Sequence, residues 1–207
     1  MKCKTLIKNK PADLFFNRFC SRARNERGYL VMKKVIIING PMGVGKTTVS
    51  KMLCNKLNKS AFLDGDWCFD LHPFVANKET KAMAIDNICF IIRNYLRCSE
   101  CDYVVFNWVI DNEEVYENIT NNISDMEFEL VKITLTCNAV SLEDRWHKDK
   151  VNEWRIQEWL DVSKRSLQYF EHLDSIKIDT SDISPCNVAE KIYTMITMQY
   201  TNESDKV

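Results

Sequence analysis

One octapeptide limits this chain more than any other feature: Gly40-Pro41-Met42-Gly43-Val44-Gly45-Lys46-Thr47, set between an apolar run and an amphipathic stretch. The run, Val35-Ile36-Ile37-Ile38, is short, β-branched and unbroken by polar residues, as a strand covered on both faces of a parallel sheet requires. The stretch after the octapeptide, residues 48–57, sets Val49, Met52, Leu53 and Leu57 on one face and carries Lys51 and Lys56, with Lys59 just beyond. That is a one-faced helix with cations toward its negative pole. Strand, glycine-rich turn and helix in this order satisfy G-x-x-x-x-G-K-[ST] in the structural context that gives the pattern its meaning.

Each residue type in the octapeptide has a physical reason. Glycine lets backbone N–H groups converge on a phosphate without a Cβ in the way, and the helix N-terminus adds partial positive charge. The expected triphosphate contacts are Gly40, Met42, Gly43, Val44, Gly45, Lys46, Thr47 and Thr48. Lys46 supplies a full charge to the β- and γ-phosphates, and the Thr47 hydroxyl can take one position on a magnesium ion that otherwise keeps its waters. The pattern specifies a nucleotide and leaves the reaction open.

Beyond the loop the chain alternates. Strand signals at residues 61–63, 103–108, 129–136 and 175–179 are separated by helical patterns at 79–97, 113–119, from Ser141 to about Phe170, and from Ser184-Pro185 onward. Ser141-Leu142-Glu143-Asp144 reads as a capping box opening a helix, and Ser184-Pro185 as a serine cap with proline at the first helical position. Five strands alternating with helices, with the phosphate-loop pattern after the first, predict an α/β, three-layer P-loop NTPase fold: a five-stranded parallel sheet with helices on both faces.

Residues 32–198 are the expected domain. Residues 1–31 read as a basic, poorly ordered extension, with eight cations against Asp13 and Glu26, and 199–207 as a C-terminal tail. The net charge of -1 gives no global attraction to nucleic acid. No apolar run reaches the ~18–20 residues that cross a bilayer, so a cytoplasmic protein without a membrane partner is expected, as a monomer or homodimer. Nine cysteines, several at apolar-periodic positions, read as reduced thiols; Cys98-Ser99-Glu100-Cys101 lacks a second pair for tetrahedral zinc.

A guanine-reading N-K-x-D motif is missing, since Asn77-Lys78-Glu79-Thr80 lacks the acid, and the length leaves little room for the extra helical domain of an oligomeric motor. Residues 34–57, 61–73 and 135–192 resemble the small P-loop kinases that include gluconate kinase, adenylylsulfate kinase, shikimate kinase, chloramphenicol phosphotransferase and the nucleoside monophosphate kinases. Asp64-Gly65-Asp66 followed by Leu71-His72-Pro73 is similar to the D-G-D-x-L-H-P of gluconate kinases. Here Trp67-Cys68-Phe69-Asp70 stands where that family has one residue. The resemblance implies a Mg2+- and ATP-dependent kinase acting on a small-molecule hydroxyl or phosphate. The other class to weigh is a nucleotide-binding NTPase or regulatory protein with no acceptor.

In an open parallel sheet the ligand lies beyond the carboxyl ends of the strands, which places Asp64, Asp66, Asn107 and Asp179 near it. By resemblance, Asp64 and Asp66 share the tasks of orienting the acceptor and holding magnesium, with Asp64 the metal-side candidate and the division otherwise open. Asn107 stands where many such proteins carry an acid, and its amide can contact substrate or orient water. His72 is a further substrate candidate, and Trp67, Phe69, Phe74 and Trp108 are candidate pocket walls. Arg145, Lys148, Lys150 and Arg155 form a cationic cluster in a region that resembles the small, mobile helical lid of these kinases, which implies that Arg145 meets the phosphates during transfer and that Arg155 reaches the substrate.

Overall fold

The structure is a computed structural model that describes residues 32–149 and 156–198. Expectations for the two terminal segments, and for Lys150 and Arg155, lie outside the described residues.

Five strands form a single parallel sheet in the order β2-β3-β1-β4-β5: β1 Lys34–Asn39, β2 Ser60–Asp64, β3 Tyr103–Asn107, β4 Glu129–Thr136 and β5 Ile176–Asp179. The helices are α1 Lys46–Lys56, α2 Lys78–Arg97, α3 Glu113–Asn121, α4 Ala139–Lys148, α5 Gln157–His172 and α6 Pro185–Met198. A 3-10 turn, Gly65–Cys68, follows β2. All six residues of β1 are buried, as its unbroken apolar run requires.

Alternation along β1 divides the core. Ile36 and Ile38 face Val49 and Leu53 of α1, Ile192 and Ile196 of α6, and Leu142 and Trp146 of α4. Val35 and Ile37 face Ile88 and Ile92 of α2 and Tyr116 and Ile119 of α3. The period of two in the strand thus sends adjacent side chains into two separate apolar layers, and the sheet is covered on both faces. Among the described residues, no helix is long and apolar enough to cross a membrane.

One helix start differs from the sequence expectation. α4 begins at Ala139, two residues before Ser141, because the Asn138 carboxamide accepts the Ser141 N–H at 2.8 Å and so caps the helix itself. The Ser141 hydroxyl donates instead to the Ser181 carbonyl, 3.3 Å away. The start of α6 follows the sequence: the Ser184 hydroxyl accepts the Asn187 N–H at 3.3 Å and Pro185 is the first helical residue.

Sheet order decides where ligands can sit. β1 is central, so the loop after it opens at mid-sheet. β2 and β5 are the two edges, and the residues that follow them flank that loop from opposite sides. Parallel register sets Asn107 beside both Asp64 and Ile38, bringing three strand ends together at one rim.

Candidate functional site

The loop is fastened from beneath by Asn39, a residue the sequence reading passed over as a strand end. Its Oδ1 accepts the N–H of Gly40 at 2.7 Å and of Ile110 at 2.9 Å, while its Nδ2 donates to the Ile110 carbonyl at 2.9 Å. The chain then turns at Gly40 with φ 141°, and a Cβ there would lie 2.4 Å from the Leu135 carbonyl oxygen. Both the dihedral and the space demand glycine. From the other side the Ser163 hydroxyl, buried on α5, donates to the Met42 carbonyl at 2.7 Å. No spacing in the sequence signals that contact, because α5 meets the loop only in the folded chain.

Lys46 opens α1 and folds back over the loop, donating to the carbonyls of Gly40 at 3.0 Å and Pro41 at 2.9 Å. Burial pushes its ammonium down to about 8, against the opposing pull of Asp66 and Asp64. The next residue, Thr47, donates its hydroxyl to Asp64 Oδ2 at 3.0 Å and accepts from Asn107 Nδ2 at 3.4 Å. Asn107 Oδ1 is buried with no hydrogen-bond partner. Hard oxygens from Thr47, Asp64 and Asn107 therefore cluster beside the loop, a donor set that fits magnesium better than a softer metal. No group of three or more His, Cys, Asp or Glu side chains among the described residues makes a complete metal cage. A magnesium ion that arrives with phosphate oxygens and its own waters has no need of one.

The two aspartates diverge. Asp64 is buried; its Oδ2 faces Thr47 and its Oδ1 accepts the Asp66 N–H at 3.2 Å, capping the 3-10 turn. Asp66 is turned outward, and its Oδ1 accepts the indole N–H of Trp108 at 3.1 Å. Desolvation, together with the neighbouring Asp64 charge, pushes the Asp66 carboxyl above its ordinary value, while Lys46 and the Trp108 bond oppose the shift. Gly65 is what permits this arrangement. A Cβ at that position would fall 2.4 Å from the Trp108 ring, so the indole lies directly on the glycine backbone.

The candidate aromatic walls do not stay together. Phe69 stands edge-on to Trp108, with ring centroids 6.5 Å apart, and to Phe74 at 5.2 Å. Trp67 departs to the sheet edge, where it meets Phe62 at 5.4 Å. His72 is likewise not brought to the aspartates: its side chain is 88% exposed and its Nε2 is 3.2 Å from Asp70. The four residues 67–70 lengthen the turn and carry the histidine out toward solvent.

On the β5 side of the loop lies a groove of about 340 Å³, bounded by Val44, Gly45, Thr48 and Arg145 and by Thr180, Ile183 and Val188. Arg145, expected over the transferring phosphate, is held here. Its guanidinium donates to the Val44 carbonyl at 3.2 Å, to Thr180 Oγ1 at 2.8 Å and to the Thr180 carbonyl. Thr180 follows the end of β5 at Asp179; Ile183 and Val188 gave no signal beyond ordinary helix patterning.

An amide-rich loop at mid-sheet, with a groove toward one edge and carboxylates toward the other, is the layout of the small P-loop kinases. The chain belongs to the AAA domain family, which residues 36–170 match. It is similar to a cytidylate kinase of Clostridium tetani, 24% identical over 94 residues, which are 45% of this chain and 42% of that enzyme. Among solved structures it is similar to a gluconokinase of Sinorhizobium meliloti 1021, with TM-score 0.59 and 12% identity over 84% of this chain and 98% of that one. A tunicamycin resistance protein of Deinococcus radiodurans gives TM-score 0.53 and 20% identity over 80% of this chain and 96% of that one. At these identities the structural likeness is one of fold.

Proposed function

We propose that this protein is a Mg2+-dependent kinase that transfers the γ-phosphoryl group of ATP to a small-molecule acceptor. The observation that carries the reading is the separation of the two aspartates: Asp64 is tied to Thr47, and Asp66 is turned by Trp108 away from the metal-side oxygens. A nucleotide-binding module without an acceptor has a use for the first carboxylate and none for the second.

The groove between Arg145, Thr180 and Ile183 receives the base and ribose, and the triphosphate runs from there along the amides of residues 40–48. Arg145 then serves the nucleotide end of the site, joining the loop to the segment after β5. Lys46 has two N–H donors on loop carbonyls, leaving its third for the β- and γ-phosphates. Thr47, Asp64 and Asn107 would hold magnesium, and the ion, when bound, would neutralise charge on the phosphate oxygens.

The acceptor hydroxyl lies at Asp66. As its oxygen forms a bond to the γ-phosphorus, the bond from that phosphorus to the β,γ-bridging oxygen breaks and ADP leaves with the electron pair. The hydroxyl proton passes to the Asp66 carboxylate, whose proton affinity desolvation and the Asp64 charge raise above the ordinary carboxylate value. Cytidylate kinase and gluconokinase among the similar proteins carry names of this reaction class.

A coupled ADP-release screen over nucleosides, nucleotides, sugars, sugar acids and aromatic alcohols tests the reading, with Lys46→Ala as the background. The expected result is acceptor-stimulated release that Lys46→Ala abolishes. If no acceptor raises release above the hydrolysis seen with Mg2+ and ATP alone, the kinase assignment is wrong.

A further inference from the structure

The Cys98-Ser99-Glu100-Cys101 spacing plays no part in the nucleotide site and lies at the other end of the sheet. Cys98 caps the C-terminus of α2, and Cys101 stands two residues before β3, whose far end carries Asn107. The Cys101 N–H donates to the Cys98 carbonyl at 3.2 Å, closing a turn through Ser99 and Glu100. The first and fourth Cα atoms of such a turn lie within roughly 7 Å of each other, and a disulfide spans about 4.4–6.8 Å between Cα atoms. The backbone therefore already holds the two residues at bridging distance. Their side chains meet there, with the two thiols hydrogen-bonded to each other.

The two sulfurs differ in access. Cys98 is exposed and Cys101 is half-buried. Burial, reinforced by the Cys98 thiol beside it, pushes the Cys101 thiol up to about 11, against the pull of the Lys33 ammonium, which donates to the Cys98 carbonyl. A thiol of that kind is a poor first nucleophile toward a reagent in solvent, yet it is placed to attack a sulfur already fixed on Cys98. Other described cysteines lack part of this arrangement. Cys68, Cys89 and Cys137 are buried, Cys54 meets the Ser60 hydroxyl at 3.0 Å, and Cys186, exposed on the first turn of α6, has no cysteine three residues away.

We propose that Cys98 and Cys101 are a thiol–disulfide exchange site, which takes a small-molecule disulfide as oxidant and closes an intramolecular bridge. The Cys98 thiolate attacks one sulfur of the oxidant. A bond forms between Cys98 Sγ and that sulfur, the oxidant's own S–S bond breaks, and its other half leaves with the electron pair and takes up the proton that Cys98 lost. Cys101 Sγ then gives up its proton and attacks Cys98 Sγ, and the second half of the oxidant leaves as a thiol. The cysteine pair loses two electrons and two protons, and one small disulfide becomes two thiols. Neither step uses the phosphate loop, so the site is independent of the kinase reading.

The order of attack makes the two cysteines distinguishable. The full chain is reduced, freed of reductant, incubated with glutathione disulfide, quenched in acid, alkylated and mapped by mass spectrometry, beside Cys98→Ser and Cys101→Ser. The expected native product is a bridge between Cys98 and Cys101, two hydrogen atoms lighter than the dithiol and carrying no glutathione. Cys101→Ser stops at a glutathione adduct on Cys98, whereas Cys101 in Cys98→Ser reacts about tenfold or more slowly than that. The native product is read without any substitution, so it stands even if a variant folds poorly. A native pair that stays as two thiols or ends as a glutathione adduct overturns the proposal. So does a bridge from Cys98 to Cys3, Cys20 or any other cysteine, and so do equal rates of adduct formation at the remaining cysteine of the two variants.

Discussion

The Thr47 hydroxyl donates to Asp64 Oδ2 at 3.0 Å, joining the first turn of α1 to the end of β2. The contact sets a hydroxyl and a carboxylate side by side at the edge of the phosphate loop, and it leaves Asp66 free of the metal side. Thr47→Ala and Asp64→Asn are each expected to raise the Mg2+ concentration needed for half-maximal nucleotide binding by roughly tenfold, whereas Thr47→Ser restores it. Titration of Mg2+ at fixed ATP analogue checks this, and equal requirements in all three variants would contradict it.

Lys46 makes nucleotide binding pH-dependent with a definite sign. In the free protein burial holds its ammonium at about 8, below its ordinary 10.5. Phosphates raise that value on binding, so above pH 8 the protein takes up a proton as it binds. Affinity for Mg2+ and ATP is flat below pH 8 and falls above it, approaching tenfold per pH unit. Calorimetry in buffers of different ionisation enthalpy measures the proton uptake directly; an affinity constant from pH 7.5 to 9.5 is the contrary outcome.

Asn39 carries three hydrogen bonds at full burial, and its removal strands the N–H of Gly40 together with both backbone polar groups of Ile110. Asn39→Ala is expected to cost about 3 kcal/mol in chemical denaturation, because buried groups without partners lose their full solvation. Nucleotide affinity falls with it, since the loop is no longer fastened to the segment after β3. A loss under about 1 kcal/mol contradicts the clamp.

Gly65 offers a test of the acceptor side alone. Its Cβ would overlap the Trp108 ring, so Gly65→Ala displaces the indole and releases the Asp66 carboxylate from its N–H partner. Acceptor KM rises while nucleotide binding holds, at an overpacking cost of roughly 1–3 kcal/mol in stability. A matching loss of both affinities would place Gly65 in the nucleotide site instead.

How much of this was legible in the sequence follows from the range of the interactions. The loop, the alternation of strands and helices and both covered faces of the sheet are local patterns: glycines before Lys46, an unbroken run in β1, apolar stripes on the helices. Asn39 was missed because a strand-terminal asparagine carries no motif, and its partner Ile110 arrives only through the β1–β3 pairing. Arg145 was placed over the phosphates by analogy, yet in the fold β5 runs beside β4 and brings Thr180 within reach of the guanidinium. His72 matched a known motif, but Trp67-Cys68-Phe69-Asp70 adds length that no spacing rule converts into a direction. The same four residues set Phe69 against Trp108 and send Trp67 to Phe62.

In the proposed reaction Asp66 acts on the acceptor and Asp64 on the metal side. The direct measurement is the pH profile of acceptor-dependent ADP release, at saturating Mg2+ and ATP, for the native protein and for Asp66→Asn. The account predicts a native rate that rises with pH through a value above the ordinary ~3.9 of an aspartate, and an Asp66→Asn rate that is lower by about 10²–10⁴ and flat in that range, with nucleotide affinity unchanged. Full acceptor-dependent turnover in Asp66→Asn, with the native pH profile, would contradict it.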